Sequence, residues 1–216
     1  MKEIFYNFAG YNQKIFLWIN SWAINDDISY AAKIISKFFD IEMFALYYCF
    51  AAIYLMVRLK FIENSKRYDA YCKKYDFMVR LGIAYALFGF VYAILKFTIN
   101  MPRPFCSLSH DQFITILDVT QERCLSSFPS SHAGLVFLIT LSFWREVDKF
   151  QKLLLCSLVI LVSFSRVLLA MHYPADILYG LIVAYCVYLL AYFVFFILKD
   201  NLLSCVKSKI WSFLYK

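Results

Sequence analysis

The sequence has few of the residues that interrupt helices and few that carry charge. Among its 216 residues, only five are glycine and four are proline, and 17% are charged. Because glycine and proline often mark helix ends, their scarcity predicts long helices. Hydrophobic residues make up 62% of the chain, whereas soluble domains are roughly half apolar. This composition favours one integral membrane domain over the alternative, an unusually apolar soluble bundle.

Other absences limit the domain organisation. Residues 1–24 contain three charged side chains and no small-residue cleavage site, so we expect no signal peptide. The chain shows no internal repeat, low-complexity tract or linker. We therefore predict three segments: an amphipathic interfacial segment at 1–40, a membrane-embedded domain at 41–198, and a basic cytoplasmic tail at 199–216.

Five apolar stretches have about the length that a bilayer core requires, roughly twenty residues. They lie at 41–59, 78–99, 130–146, 152–171 and 176–198. Residues 14–24 and 28–39 are too short to span, and they predict amphipathic helices that either lie on the membrane surface or pack on the bundle. The predicted fold is an all-α integral membrane bundle of about five transmembrane helices plus N-terminal amphipathic helices.

Lysine and arginine are distributed unequally between the two sides of this bundle. Fourteen lie on one side, in the segments 58–80, 145–152 and 199–216. Because such residues accumulate on the cytoplasmic side, the N-terminus and the loops 101–129 and 171–175 are predicted to face outward. The net charge of +7 is therefore interpreted as a feature of membrane orientation and not of nucleic-acid binding.

Three polar clusters lie at the outward ends of the predicted spans: KFTINMPRP at 96–104, FPSSHAG at 128–134 and SRVLLAMHYPAD at 165–176. They contain the cations Lys96, Arg103 and Arg166. A cation within an apolar span costs at least about 2.5 kcal/mol and so implies a partner or a task. Lys96 taken alone is explained by snorkelling to the headgroups. Three cations beside a helix N-terminus, however, predict a phosphate-binding site.

Two histidines add reactive groups to this site. The spacing of His172 and Asp176 allows the carboxylate to accept a ring N–H, fix the tautomer and leave the other nitrogen free to attack phosphorus. His132, in the first turn of the third span, is positioned to protonate the leaving oxygen and then activate water. Taken alone, His132 is more typical of a helix-cap or interface residue. In the 101–129 loop, Asp111, Asp118 and Glu122 are interpreted as solvated charges, and His110 receives no role.

These clusters resemble the three motifs of the type 2 phosphatidic acid phosphatase family, Lys-x6-Arg-Pro, Pro-Ser-Gly-His and Ser-Arg-x5-His-x3-Asp. The chain matches every spacing, with Lys96–Pro104, Pro129–His132 and Ser165–Asp176. The resemblance covers roughly residues 40–198. The chain departs from the family pattern at Ser131, where the family has glycine. Glycine permits close backbone approach and unusual φ. We expect Ser131 to leave catalysis intact and its hydroxyl to add a phosphate contact.

The resemblance implies hydrolysis of a lipid phosphate monoester or diphosphate through a phosphohistidine, with no metal and no cofactor. His172 is then the nucleophile, Asp176 its orienting partner and His132 the proton donor. The implied phosphate-binding residues are Lys96, Arg103, Ser130, Ser131 and Arg166. Alternatives are a catalytically idle lipid-binding or transport member of the same fold and a phosphatase for soluble phosphates.

The predicted location is a bacterial inner membrane, with the site on the periplasmic face. Of seven cysteines, only Cys106 and Cys124 fall in the predicted outward loop. In an oxidising periplasm they are the natural disulfide pair. The bridge would contribute about 3 kcal/mol by closing a loop of about eighteen residues. The alternative is two free thiols.

Overall fold

The computed structural model describes residues 6–120 and 122–214, and all regular structure within them is helical. The α-helices are α1 (Tyr11–Asn20), α2 (Asp26–Phe38), α3 (Ile41–Leu59), α4 (Asn64–Ile99), α5 (Pro104–Ser107), α6 (Ser131–Phe143), α7 (Lys149–Leu168), α8 (Pro174–Leu198) and α9 (Ser204–Leu214). Short 3-10 turns at Phe8–Gly10 and Ser21–Ile24 flank α1, and a π-helical turn at Lys199–Leu203 joins α8 to α9. The predicted all-helical membrane fold is confirmed.

Four of these helices, α3, α4, α7 and α8, are long and apolar enough to cross a membrane. The remaining predicted span, 130–146, is the 13-residue helix α6. At 1.5 Å per residue, α6 is about 20 Å long and shorter than a hydrocarbon core of about 30 Å. Its buried residues include Ala133, Leu135 and Leu138, so α6 lies inside the bundle against α4, α7 and α8.

Helix α4 differs from the prediction because it begins at Asn64 instead of residue 78. Its charged first half contains no glycine or proline and includes the helix formers Lys66, Arg67, Ala70, Lys73 and Lys74, so the helix continues beyond the apolar stretch. The C-terminal helix α9 packs on this extension. Lys207 forms an ion pair with Asp76 at 2.8 Å, and the Tyr71 hydroxyl donates to the Lys207 carbonyl at 3.0 Å.

The N-terminal helices α1 and α2 pack on α7. Their buried residues are Asn12, Phe16, Asn20, Ser29, Ala32 and Ser36. The Asn20 side chain donates to the carbonyls of Leu168 and Ile114, at 2.8 and 3.0 Å, and accepts from the Ile114 N–H at 2.7 Å. Asn20 thereby joins α1, the end of α7 and the 101–129 loop. Of the two sequence-based alternatives, this geometry corresponds to packing on the bundle.

Glycines allow α4, α6 and α8 to approach one another closely. A Cβ on Gly134 of α6 would lie 2.0 Å from the Tyr92 hydroxyl oxygen, and one on Gly180 of α8 would lie 2.8 Å from the Ser130 carbonyl oxygen. The Tyr92 hydroxyl from α4 donates to the Gly180 carbonyl. The start of α6 is therefore held against the first turns of α8.

We predict that Gly180→Ala lowers the free energy of unfolding by roughly 1–3 kcal/mol, because the added methyl must push backbone apart. Gly89→Ala is the matched control, since a Cβ at Gly89 meets nothing within 4 Å and alanine favours the helix. Thermal unfolding of both variants in detergent measures the difference. Equal stability of Gly180→Ala and wild type would contradict the predicted close packing.

Candidate active site

The first predicted cluster lies where α4 ends. Lys96 is in the last turn of α4, and the helix stops at Asn100, which has a left-handed φ of 47°. Arg103 then precedes the short helix α5 and is buried. Its backbone N–H donates to the Cys124 carbonyl at 2.9 Å, and the Ser127 N–H donates to the Met101 carbonyl at 3.0 Å. These bonds hold both ends of the 101–129 loop together beside the bundle.

A disulfide reinforces the same loop. Cys106 and Cys124 are bonded in the structure, with their Cα atoms 5.7 Å apart and a sequence separation of 18 residues. The bridge connects α5, which follows Arg103, to the segment that leads into α6. It therefore joins the backbones that carry the first and second clusters.

The second cluster forms the start of α6. Ser130 is the N-cap residue, and Ser131 and His132 occupy the first turn. The Ser130 N–H donates to the Asp176 carbonyl at 3.1 Å, which fixes this helix start to α8. Ser131 has no positive φ, so serine in place of the family's glycine strains no backbone here. Its N–H and that of His132 lie at the helix N-terminus, where an anion is favoured.

The third cluster begins where α7 ends in a Schellman motif. The Met171 N–H donates to the Arg166 carbonyl and the Ala170 N–H to the Val167 carbonyl, both at 3.1 Å. Ala170 has a φ of 56°, and it occupies the left-handed position that is usually glycine. The His172 N–H also donates to the Arg166 carbonyl, at 3.3 Å. This motif turns the chain sharply and places His172 beside the end of α7.

Asp176, in the first turn of α8, is fully buried. Its Oδ2 accepts from the Tyr173 N–H at 2.8 Å and from the Ser127 hydroxyl at 2.5 Å. Its Oδ1 accepts from the Tyr6 hydroxyl at 2.7 Å. Three donors and the positive end of the α8 dipole thus stabilise the carboxylate.

His172 lies in the connection between α7 and α8 and is only 1% exposed. Its Nδ1 is 3.7 Å from Asp176 Oδ2, which is longer than a hydrogen bond, and the Ser127 backbone also lies beside the ring. Burial, reinforced by three nearby cations, lowers the pKa of His172 well below its ordinary value. The imidazole is therefore neutral at neutral pH, as a nucleophile requires.

The three cations converge on the two histidines. Lys96, Arg103 and Arg166 each interact electrostatically with both His132 and His172. Arg103 and Arg166 are buried, while Lys96 and His132 are partly exposed. The structure therefore brings all three predicted clusters together at one end of the bundle, where the ends of α4 and α7 meet the starts of α6 and α8.

Several polar atoms of this site are buried but hydrogen bond to no other protein group. Of the five such side-chain atoms in the described residues, four belong to predicted site residues: Arg103 Nε, Ser130 Oγ, Arg166 Nε and His172 Nδ1. Buried donors without partners are costly, and they cluster here beside cations. The arrangement fits an anion with several acceptor oxygens, such as a phosphate group.

Sequence reasoning missed several partners of these residues. Glu122, interpreted as a solvated loop charge, instead forms an ion pair with Arg103, at 2.5 Å from Oε2 to Nη1. The Glu122 side chain is still 40% exposed, so the interpretation missed its partner and not its exposure. The neighbouring Cys106–Cys124 disulfide brings the two segments together. Arg166 Nη1 donates to the Ser36 hydroxyl of α2. Neither pair has a local sequence signal, since the partners are 19 and 130 residues apart.

Comparisons with known proteins identify the family and the fold. The family model of the PAP2 superfamily matches residues 77–199, which is more than half of the chain, and this match confirms the resemblance drawn from the three motifs. The crystal structure of Aquifex aeolicus LpxE is similar with a TM-score of 0.60 and 17% sequence identity, over 83% of this chain and 93% of that chain. At this identity the likeness shows the shared fold. No curated protein sequence gives a significant match.

We predict that Ala170 is constrained by its left-handed backbone. Ala170→Gly removes the Cβ conflict at a cost in chain entropy, so it should keep activity and near-wild-type stability. Ala170→Val places a β-branched residue in this region and should cost roughly 1–3 kcal/mol. Activity should fall as well, because His172 follows two residues later. Thermal unfolding and phosphate release measure both effects, and a valine variant indistinguishable from the glycine variant would contradict the prediction.

Proposed function

Because the chain belongs to the PAP2 superfamily, we propose that it is a membrane-bound phosphatase that hydrolyses a phosphate monoester or diphosphate of a membrane lipid through a phosphohistidine. The observation that carries the proposal is the set of buried, unpartnered polar atoms of Arg103, Ser130, Arg166 and His172 beside the three cations. Guanidinium groups donate in a fork that matches phosphate oxygens.

The first chemical step is attack of His172 on phosphorus. Its Nδ1 faces Asp176 Oδ2, so Nδ1 carries the proton and Nε2 provides the electron pair for the new N–P bond. The distance of 3.7 Å shortens in the substrate complex, as catalytic hydrogen bonds often do. The bond from phosphorus to the lipid oxygen breaks, and His132 donates a proton to that oxygen. Burial and the three cations disfavour the charged form of His132 in the empty site, so it takes up this proton when the anionic phosphate binds beside it. Asp176 stabilises the positive charge that develops on His172.

The second step regenerates the enzyme. His132, now neutral, removes a proton from water, and the water oxygen attacks phosphorus as the N–P bond breaks. Inorganic phosphate leaves, and both histidines return to their starting protonation states. Arg103, Arg166 and the first-turn N–H groups of α6 stabilise the negative charge in both transition states.

The position of the site supports a lipid as substrate. The catalytic groups lie at the ends of membrane-spanning helices, where lipid headgroups are found. An apolar cavity of about 240 Å³ lies between α3, α4 and α6, and Asp40 at its border interacts electrostatically with Arg166. Its other lining residues include Phe38, Phe44, Tyr48, Leu135 and Ile139. We propose that it receives part of an acyl or isoprenoid chain while the phosphate binds the cations.

The proposed location is the inner membrane of a bacterium, with the site facing the periplasm. It is supported by the unequal distribution of lysine and arginine and by the Cys106–Cys124 disulfide on the side of the site. Disulfides persist in oxidising compartments.

We predict that the purified protein releases phosphate from at least one of four lipid classes: phosphatidylglycerophosphate, phosphatidic acid, undecaprenyl diphosphate and lipid A. His172→Ala should abolish release, because the covalent step requires the imidazole. Asp176→Asn should lower kcat by a factor on the order of 10⁴ if the triad analogy holds. His110→Ala, an exposed histidine of the 101–129 loop, is the matched control and should behave as wild type.

The outcomes separate the candidate functions. Lipid binding without phosphate release by wild type would indicate the idle lipid-binding alternative. Release from p-nitrophenyl phosphate but from none of the lipids would indicate a phosphatase for soluble esters. More than a few per cent of activity in His172→Ala would exclude the phosphohistidine mechanism.

We also predict that His172 titrates below the ordinary histidine value of 6.5, because burial and the neighbouring cations lower its pKa. The neutral imidazole is the nucleophile and the ionised Asp176 is its orienting partner. Activity is therefore retained as pH falls towards 6.5, and it is lost below that value as His172 or Asp176 gains a proton. NMR titration of ¹³C-labelled histidines in detergent measures this value, and the missing signal of His172→Ala assigns it. Titration at or above 6.5 would show that the site does not keep the imidazole neutral.

A further inference from the structure

The N-terminal segment reaches the centre of the site although it lies outside the family match at 77–199. The Tyr6 hydroxyl donates to Asp176 Oδ1 at 2.7 Å, across 170 residues of sequence. Six residues later, the Asn12 side chain accepts from the Ala175 N–H at 2.9 Å. Two side chains of this segment therefore contact the first turn of α8, one of them through the carboxylate that orients the proposed nucleophile.

The two oxygens of this carboxylate have different surroundings. Oδ2 accepts from Ser127 and the Tyr173 N–H and is the oxygen that faces His172. Oδ1 accepts from the Tyr6 hydroxyl. Because a carboxylate held at both oxygens cannot rotate about its C–C bond, the Tyr6 bond keeps Oδ2 directed at the imidazole.

Tyr6 is itself held in place by its ring. The ring lies edge-on to Tyr173, with 6.3 Å between centroids, and at the same distance from Phe128. Burial and the Asp176 charge raise the pKa of the Tyr6 hydroxyl far above its ordinary value, so it remains a donor. On its other side, Tyr6 borders a cavity of about 180 Å³ that Asn7, Gln13 and Met101 also line.

We propose that Tyr6 is a positioning residue, which acts through Asp176 to orient His172 for attack on the phosphate. The inference rests on the proposed phosphatase function and assigns part of that reaction to the N-terminal segment. Tyr6 does not contact the reacting atoms. Its hydroxyl fixes the carboxylate, and the carboxylate fixes the tautomer and direction of the imidazole.

The test compares Tyr6→Phe with Tyr11→Phe. Phenylalanine keeps the ring contacts and the cavity border, so Tyr6→Phe removes only the hydroxyl. Tyr11 is 61% exposed in the same segment and contacts Lys14 through its ring, which phenylalanine preserves. Steady-state kinetics are measured with phosphatidic acid in detergent micelles and with p-nitrophenyl phosphate, together with thermal unfolding.

We expect Tyr6→Phe to lower kcat about tenfold, the effect of losing one hydrogen bond to a charged group, with KM within twofold of wild type. The variant should still fold, with a lower melting temperature, because the buried Oδ1 loses its donor. The acid limb of its kcat profile should move to higher pH, because a donor that favours the ionised carboxylate is lost. The ionisable groups facing this carboxylate are Tyr6, His172, Tyr173 and Lys96. Tyr11→Phe should match wild type in every measurement.

Each other outcome overturns the inference. A Tyr6→Phe kcat within twofold of wild type would show that the hydroxyl is dispensable. Loss of folding, or a rise in KM without a change in the pH profile, would show a purely structural contact. If wild type hydrolyses neither substrate nor any lipid of the panel, the proposed function fails and this inference with it. An active wild type with an equally active Tyr6→Phe would contradict only the role of Tyr6.

Discussion

The hydrogen bonds of Asp176 are the interaction on which the rest of the site depends. Its backbone carbonyl accepts from the Ser130 N–H and so fixes the start of α6. Its carboxylate accepts from Tyr173, Ser127 and Tyr6 and faces His172. One buried residue therefore connects the start of α6, the proposed nucleophile, the loop before α6 and the N-terminal segment. Both carboxylate oxygens have donors, and satisfied buried polar networks rigidify the segments that they join.

The second constraint is the free-energy cost of burying cations close together. Arg103 and Arg166 are almost fully buried, and each repels the other and Lys96. The fold offsets this repulsion only in part. Glu122 pairs with Arg103 and the Ser36 hydroxyl accepts from Arg166, but Nε of each arginine has no protein partner. A dianionic phosphate would offset the repulsion and satisfy these donors. The helices hold the cations in place beforehand, so binding requires little reorganisation.

The helices and site residues that local sequence patterns specify were predictable. Apolar length located α3, α7 and α8 to within three residues at each end, and motif spacing identified the side chains that converge. The rest depends on contacts between distant segments. Tyr6 with Asp176, Ser36 with Arg166 and Glu122 with Arg103 follow from how α1, α2 and the 101–129 loop fold over the bundle. The extension of α4 was missed because its charged residues have the hydropathy of a loop, although its lysines and arginine favour helix and it contains no glycine or proline.

The turn at Ala170 determines how Arg166, His172 and Asp176 are placed relative to one another. A Schellman motif ends α7 so sharply that the carbonyl of Arg166 accepts from the N–H of His172. Arg166, a proposed phosphate-binding cation, and the proposed nucleophile His172 are thus carried by consecutive turns of one connection. Pro174 then starts α8 at once and places Asp176 in its first turn. The spacing of Arg166, His172 and Asp176 is therefore set by the minimum length of chain that ends one helix, presents an imidazole and begins the next. An insertion here would separate the groups that the proposed mechanism requires at one phosphorus atom.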